Sequence, residues 1–340
     1  MTNEWRIYQG AHEPHDGIDR LPPPPPWRDF QEGDGSATPF EREVHVGSGR
    51  RLPRENAYYA DDRTIEAVNT ALYLRRPLLV TGDPGVGKST LADAVARELK
   101  LGTVLRWPVN SKTTLRDGLY RYDSLGRLEE AGVDRADGTS AVATDLGRYV
   151  SLGPLGTALA PYALPRVLLI DEIDKSDIDL PNDLLDVFEE GSFEIPELAR
   201  AADQQETVDV RPAGGGAPVG VECGVVRCLA FPFVILTSNG EREFAPAFLR
   251  RCVRLPLPSV TTDHTRLRAI VRAHLPGAEE QADEIIARFK QHAATGELAT
   301  DQLLNAIYLV SRTSQDGAPD LDRLVQLVFQ HLNVTVPAES

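Results

Sequence analysis

The chain has 340 residues, of which 41% are hydrophobic, so it is long enough for about two or three compact units with buried cores. Its formal net charge of −15 disfavours nucleic acid as the main partner, because a phosphate backbone attracts basic surfaces. It has three cysteines, no signal-peptide pattern and no apolar stretch approaching the length of a membrane helix. These features predict a cytoplasmic protein without a disulfide framework.

Residues 1–50 form a polar, proline-rich segment in which positions 22–26 are all proline. Such a run adopts polyproline II or stays disordered. Two interpretations remain open. The segment is a flexible arm, or it docks on a neighbouring subunit or partner through Trp27 and Phe30, since aromatic side chains beside a rigid proline run suit docking.

A phosphate-binding loop follows a helical pattern at about 61–74. Residues 82–89 read Gly-Asp-Pro-Gly-Val-Gly-Lys-Ser and match G-x-x-x-x-G-K-[ST] at every fixed position. An apolar strand at 77–81 precedes this loop and an amphipathic helix at 90–99 follows it, which is the context that the motif needs. The glycines let the backbone curl around a phosphate chain, at which the loop N–H groups and the helix N-terminus then point.

In such a loop, Lys88 reaches the β- and γ-phosphates and Ser89 ligates Mg²⁺. The predicted nucleotide-binding residues are Gly82, Asp83, Pro84, Gly85, Val86, Gly87, Lys88, Ser89, Thr90 and Asp171. Tyr58 and Tyr59 are candidates for the adenine pocket, although they serve equally well as core aromatic residues.

The rest of the chain alternates apolar strands with helical patterns. Further strands are predicted at 103–109, 166–170 and 233–236, and a helix begins near Pro181. Residues 111–161 read as a helix interrupted by an insertion, and 192–230 as a hairpin with a long glycine-rich tip. Residues 258–335 are helical only. The predicted fold class is α/β, a parallel sheet flanked by helices with a small C-terminal all-helical domain.

Polar residues follow the later strands. Asp171 and Glu172 end the strand at 166–170, where the first can hold the Mg²⁺ shell opposite Ser89 and the second can deprotonate a water. Asp174 and Lys175 are expected to form surface or intersubunit pairs. Asn239 ends the next strand, where a neutral amide can hold the attacking water, or else it caps the Asn-Gly turn. Arg250 and Arg251 are candidates to stabilise charge on the transferring phosphoryl group, or surface arginines at a helix end.

In this order, these residues resemble those of an AAA+ ATPase. Gly82 to Ser89 match Walker A, Val167 to Glu172 match Walker B, Asn239 matches sensor 1, and Arg250-Arg251 match the arginine finger, with Arg251 preferred. More narrowly, residues 170–185 and 231–239 resemble the MoxR group.

The resemblance implies an ATP-hydrolysing chaperone or remodelling enzyme that uses ATP and Mg²⁺, forms a hexameric ring and acts on a protein partner, often one with a von Willebrand A domain. It implies a nucleotide-binding domain at 51–257 and a helical lid at 258–335. Within the former, 111–161 would be the helix-2 insertion and 192–230 the hairpin before sensor 1, both directed toward the ring pore. Asn110 matches the polar residue that in many relatives restrains the catalytic glutamate.

One departure concerns the lid, where the sensor 2 arginine of many relatives has no clear match and Ala299 to Gln302 stand in its place. This departure motivates a second hypothesis, an ATP-dependent assembly switch with little turnover in a signalling or defence system. A nucleic-acid motor is a third hypothesis, which the net charge of −15 disfavours.

Overall fold

The computed structural model describes residues 4–11, 13–30, 37–42, 58, 60–129, 146–258, 267, 268, 271, 279–293, 300–313 and 328. Its strands are β1 (Leu78–Thr81), β2 (Leu105–Pro108), β3 (Tyr120–Tyr122), β4 (Val150–Leu152), β5 (Val167–Asp171), β6 (Ser192–Glu194), β7 (Thr207–Val210), β8 (Val219–Glu222), β9 (Val225–Arg227), β10 (Phe233–Ser238) and β11 (Val253–Pro256). Its helices are α1 (Asp62–Leu74), α2 (Thr90–Glu98), α3 (Leu115–Leu119), α4 (Pro154–Ala158), α5 (Leu180–Glu190), α6 (Pro196–Ala199), α7 (Pro246–Arg251), α8 (Glu279–Ala293) and α9 (Thr300–Thr313).

A parallel sheet in the order β11-β1-β10-β5-β2 forms the centre of the molecule. Its three inner strands are continuous apolar runs because helices cover both faces, and every residue of β10 is buried. On one face of the sheet, an apolar cluster lies between the strands and helices α1 and α2. On the other face, a second cluster lies between the strands and helices α4 and α5. The predicted α/β fold is confirmed.

The helix before the phosphate loop begins and ends as its sequence predicts. Asp61 caps α1, because its carboxylate accepts the Thr64 N–H at 2.8 Å. The helix ends at Arg75, which has a left-handed backbone conformation with φ of 51°. Strand β11, at the edge of the sheet, was not predicted, because the short alternating segment from Val253 has none of the continuous apolar character of β1 and β5.

Two small antiparallel sheets lie outside the central one. Strands β3 and β4 pair within the region predicted as an interrupted helix, between α3 and α4. Strands β6 to β9 form a sheet in the order β6-β9-β8-β7. The predicted single hairpin at 192–230 is therefore incomplete. Its glycine tip does join β7 to β8, but the neighbouring strands were missed because each has only three or four residues.

The described part of the N-terminal segment packs on the chain's own domain. Ile7, Tyr8 and Ile18 are buried in the same cluster as α1 and α2. The buried side chain of Asn69 on α1 accepts the N–H groups of Ile7 and Tyr8 and donates to the carbonyl of Tyr8, at 2.7 to 3.0 Å. The expectation of a flexible arm is wrong for these residues, because their apolar side chains complete the core.

The two aromatic residues expected to dock elsewhere differ from each other. Phe30 is buried and stacks on Phe231 of the same chain, with ring centroids 5.6 Å apart. Its ring also lies against Gly191, where a Cβ would come within 2.5 Å of it. Trp27 is 72% exposed, so it contributes little to this contact.

The described residues beyond β11 are helical, and α8 packs on α9. Ile285, Phe289 and Leu303 join the first apolar cluster. The predicted domain boundaries at 50, 257 and 335 remain predictions. No helix in the described part of the chain has the length and apolar character that crossing a bilayer requires.

Candidate functional site

The phosphate loop lies at the carboxyl ends of β1 and β10, between β1 and α2. The register of β1 and β10 places Thr81 beside Ser238, and the Gly82 N–H donates to the Ser238 carbonyl at 3.3 Å. Gly82, with φ of 152°, approaches the backbone so closely that a Cβ there would lie 3.0 Å from the Leu257 carbonyl oxygen. Gly85 and Gly87 also have positive φ values. The glycines of the motif are therefore needed to build the loop.

Ser89 and Asp171 meet at the start of α2. The Ser89 hydroxyl donates to Oδ1 of Asp171 at 2.8 Å, and the Thr237 hydroxyl donates to the same oxygen at 2.6 Å. A hydroxyl and a carboxylate at this separation are oxygen ligands of the kind that Mg²⁺ takes in nucleotide sites, so these residues fit that ion. Thr237 was not predicted as a site residue, although its position two residues before Asn239 at a strand end was a usable signal.

Lys88 lies against its own loop. Its ammonium donates to the carbonyls of Gly82 at 2.7 Å and Asp83 at 2.9 Å, and to Oδ1 of Asn239 at 2.7 Å. Burial lowers the pKa of Lys88, and the carboxylates of Asp174 and Asp171 oppose that shift. All three ammonium donors are therefore engaged, one of them by the residue predicted to hold the attacking water.

Glu172 follows β5 with a left-handed backbone, φ 62°. Its N–H donates to the Thr237 hydroxyl at 2.9 Å, and its carboxylate accepts from the Lys175 ammonium at 2.9 Å. Asn110 was expected to restrain Glu172, but its side-chain oxygen accepts the Lys112 N–H at 2.9 Å. Among the described contacts, Lys175 is the residue that binds the Glu172 carboxylate.

Asp174 supports the end of β10. Its Oδ2 accepts the N–H groups of Asn239 at 2.9 Å and Glu241 at 3.1 Å. The expectation that Asp174 forms a surface pair is wrong, because it is only 4% exposed. It was missed because one acidic residue among several after Walker B carries no sign of its burial.

A family model for the AAA domain (dynein-related subfamily) matches residues 77–252. The chain belongs to this family. The chain is also similar to a solved structure, a RuvB mutant of Thermotoga maritima, at 16% sequence identity and a TM-score of 0.38. The match covers 83% of this chain and 71% of the RuvB chain. No curated protein matches the chain.

In this AAA domain the candidate finger residues lie in the last turn of α7, at the amino end of β11. The guanidinium of Arg251 donates through Nε to Oε1 of Glu189 at 2.9 Å and through Nη1 to the Ala247 carbonyl at 3.2 Å. Arg250 is exposed, and its carbonyl accepts from Arg76 at 3.1 Å. Within the described contacts neither guanidinium touches the phosphate loop of its own chain.

The candidate adenine residues lie close to the loop as far as they are described. Tyr58 is 5% exposed and belongs to the first apolar cluster of the AAA domain. A Cβ built at Gly87 would be 3.5 Å from the Tyr58 ring, so the ring lines the loop. Tyr59 lies outside the described residues.

Proposed function

We propose that this AAA protein binds ATP with Mg²⁺ and hydrolyses it. The observation that carries the proposal is the convergence of Lys88, Ser89, Asp171, Glu172 and Asn239 at one edge of the sheet, within hydrogen-bond distance of each other or of a shared neighbour. Phosphoryl transfer needs positioning and charge stabilisation rather than covalent chemistry by the protein, and this set supplies both.

Each residue has a role that its position supports. Lys88 would exchange its loop carbonyls for the β- and γ-phosphates, and Ser89 and Asp171 would hold Mg²⁺. The chemistry supplied by a bound Mg²⁺ is neutralisation of phosphate charge. Glu172 would take the proton of a water that attacks the γ-phosphorus in line, and the Asn239 amide, released from Lys88, would hold that water without adding negative charge.

The protein-level role rests on the narrower resemblance. The segments at 170–185 and 231–239 are similar to the MoxR group, which supports a ring oligomer, six subunits in that group, that remodels a protein partner, such as a protein with a von Willebrand A domain. Arg251 is compatible with this role, since its described contacts are with Glu189 and Ala247 and leave it away from the phosphate loop of its own chain. Strongly acidic composition argues against a nucleic-acid motor.

A second candidate function is an ATP-dependent assembly switch with little turnover. The contact that favours it is the Lys175–Glu172 ion pair, because it holds the proposed base on Lys175 rather than on a water. Both partners are well exposed, so the pair is worth roughly 1 kcal/mol or less and is easily broken.

Steady-state ATP hydrolysis by the purified protein, with its mass followed by light scattering with and without ATP, tests the proposal. Turnover with ATP-dependent assembly supports the motor. Assembly without turnover supports the switch, and the absence of both contradicts the two candidates together.

A further inference from the structure

One carboxylate joins the N-terminal segment to the candidate finger. Oε1 of Glu189, in the last turn of α5, accepts from Nη2 of Arg28 at 3.1 Å and from Nε of Arg251 at 2.9 Å. Arg28 comes from the N-terminal segment and Arg251 from α7, so three separate parts of the chain meet at this oxygen.

Arg28 is firmly held at this position. It is 3% exposed, donates through Nη1 to the Phe188 carbonyl at 2.5 Å, and lies over the Phe231 ring at 5.7 Å from its centroid. The Phe188 carbonyl belongs to the last turn of α5, where a cation is also favoured by the helix dipole. Two residues further on, Phe30 stacks on Phe231. A buried cation fixed by these contacts stays beside Glu189.

The charges at this point have a consequence for an incoming triphosphate. A lone carboxylate beside Arg251 would cancel the charge of the finger and repel the γ-phosphate of a neighbouring subunit. With Arg28 present, Arg28 and Arg251 share one anion, and the charge of Arg76 also reaches Arg28, so the cluster keeps a net positive charge. Glu189 binds Nε and the Ala247 carbonyl binds Nη1, so among the described contacts Nη2 of Arg251 has no partner and can donate to a phosphate oxygen.

We propose that Glu189 is a positioning residue for Arg251 and that Arg28 compensates its charge, so that the N-terminal segment of one subunit tunes the ATP site of the next. This inference rests on the proposed function, because Arg251 acts only where a second copy supplies ATP.

The test compares Arg28→Gln, Glu189→Gln and the double variant, with kcat and KM for ATP as readouts. Arg28→Gln keeps a donor for the Phe188 carbonyl and removes the charge, so kcat falls about three- to tenfold while KM stays within about twofold. In the double variant, Glu189→Gln removes the uncompensated charge while its amide oxygen can still accept from Nε of Arg251, so the finger stays positioned and kcat recovers. Arg28→Lys, which keeps the charge, retains more activity than Arg28→Gln.

Arg6→Gln is the matched control, because Arg6 anchors the same segment through Asp62 at 2.9 Å and lies away from Glu189. It leaves kcat unchanged. If Arg28 only anchored the segment, the double variant would be worse than either single variant, since it loses two contacts, and Arg6→Gln would also lower kcat. Either result overturns the inference.

Failure of the proposed function gives a different pattern. Wild-type protein that neither hydrolyses ATP nor assembles with it refutes that function, and the inference with it. Active wild-type protein with an unaffected Arg28→Gln variant refutes the inference alone. If Arg28→Gln does not fold, Arg28→Lys is compared with Arg28→Lys plus Glu189→Gln, which raises the charge of the cluster by one unit while a cation still docks the segment; equal kcat values in these two variants contradict the charge argument.

Discussion

Single oxygen atoms organise the candidate site. Oδ1 of Asp171 accepts from both Ser89 and Thr237, and the same Thr237 hydroxyl accepts the Glu172 N–H. One threonine therefore fixes the residue proposed to hold Mg²⁺ relative to the residue proposed as base. Because these contacts lie within the protein, the carboxylates are positioned before any nucleotide binds, which is the preorganisation that efficient catalysis requires.

Substitution of Glu172 by Gln is expected to lower kcat by about 10²- to 10⁴-fold with little change in ATP affinity, because it removes a proton acceptor and keeps the side-chain shape. Rapid-quench turnover and titration with a fluorescent ATP analogue measure the two quantities. Lys88→Ala should instead abolish tight binding of ATP, because it removes the ammonium proposed to contact the β- and γ-phosphates. Normal turnover by the Glu172 variant would exclude Glu172 as the base.

Asp174→Ala is expected to destabilise the fold and to slow hydrolysis. It leaves the N–H groups of Asn239 and Glu241 without their acceptor, and because both hydrogen bonds are only partly buried, the cost is at the lower end of the roughly 1–3 kcal/mol for a buried group. Urea unfolding and kcat measure both effects. Asp177→Ala is the control, because Asp177 is exposed. Equal behaviour of the two variants would contradict the supporting role of Asp174.

At the scale of elements, the C-terminal end of α2 is joined to the N-terminal segment through Glu98. Its Oε1 accepts the Gln9 N–H at 2.6 Å and lies 3.1 Å from Nε2 of His15. Burial raises the pKa of Glu98 to about 7, although hydrogen bonds from the backbone of the segment oppose the shift. Burial also lowers the pKa of His15. The helix that follows the phosphate loop therefore ends in a titratable contact.

Glu98→Gln is expected to change how stability depends on pH. In the folded chain the carboxyl keeps its proton to about pH 7, whereas in the unfolded chain it loses it near 4.5. The contribution of the Glu98 carboxyl to the stability of the fold is thus fully present below about pH 4.5 and is lost as pH rises to about 7. As pH rises from about 4.5 to about 7, the free energy of unfolding of the variant should therefore increase by up to about 3 kcal/mol relative to that of the wild type.

Urea unfolding at pH 5 and pH 8 gives the difference directly. His15 titrates in both proteins, and its lowered pKa acts in the opposite sense, adding stability as pH rises, so only the comparison isolates Glu98. Glu66→Gln, at an exposed position of α1, serves as control. A constant difference between variant and wild type across this range would contradict the raised pKa.

The sequence predicts some elements much better than others. The inner strands and α1 were located because long apolar runs and a helical spacing of apolar residues are local signals. The sheet of β6 to β9 was reduced to one hairpin, since its strands gain their stability from neighbours distant in the chain. The proline run concealed the docking of the N-terminal segment, whose anchors are scattered single residues such as Ile7 and Phe30.

At the scale of the whole molecule, the proposed oligomer would divide the candidate site between what one chain contains and what a second copy supplies. Motif spacing indicated Lys88, Ser89 and Asp171, and the structure brings them together at one sheet edge. Spacing could not indicate Asp174 or Lys175 as neighbours of the site, because their contacts depend on how the chain turns after β5. A phosphate partner for Arg251 would come only from the proposed assembly.

Mixing two inactive variants tests that division. Arg251→Ala is expected to keep ATP binding and to lose turnover, because an arginine finger contributes about 10³- to 10⁵-fold to kcat in related chemistry. Glu172→Gln subunits keep the finger and lack the base. Mixed oligomers should recover part of the wild-type rate, measured as hydrolysis against mixing ratio. No recovery at any ratio, with assembly intact, would place Arg251 outside a shared site.

The hydrogen bonds of Asn69 bear on where this protein can be cut. A fragment that starts at residue 77, where the family match begins, would lack α1 and every N-terminal contact to it. A fragment that keeps α1 and lacks the first 30 residues would leave the buried Asn69 amide without the backbone groups of Ile7 and Tyr8. It would also expose the apolar side chains that Ile7, Tyr8 and Ile18 cover. The residues that share one buried core therefore extend beyond the region that the family model matches, and expression trials should set their limits by that core.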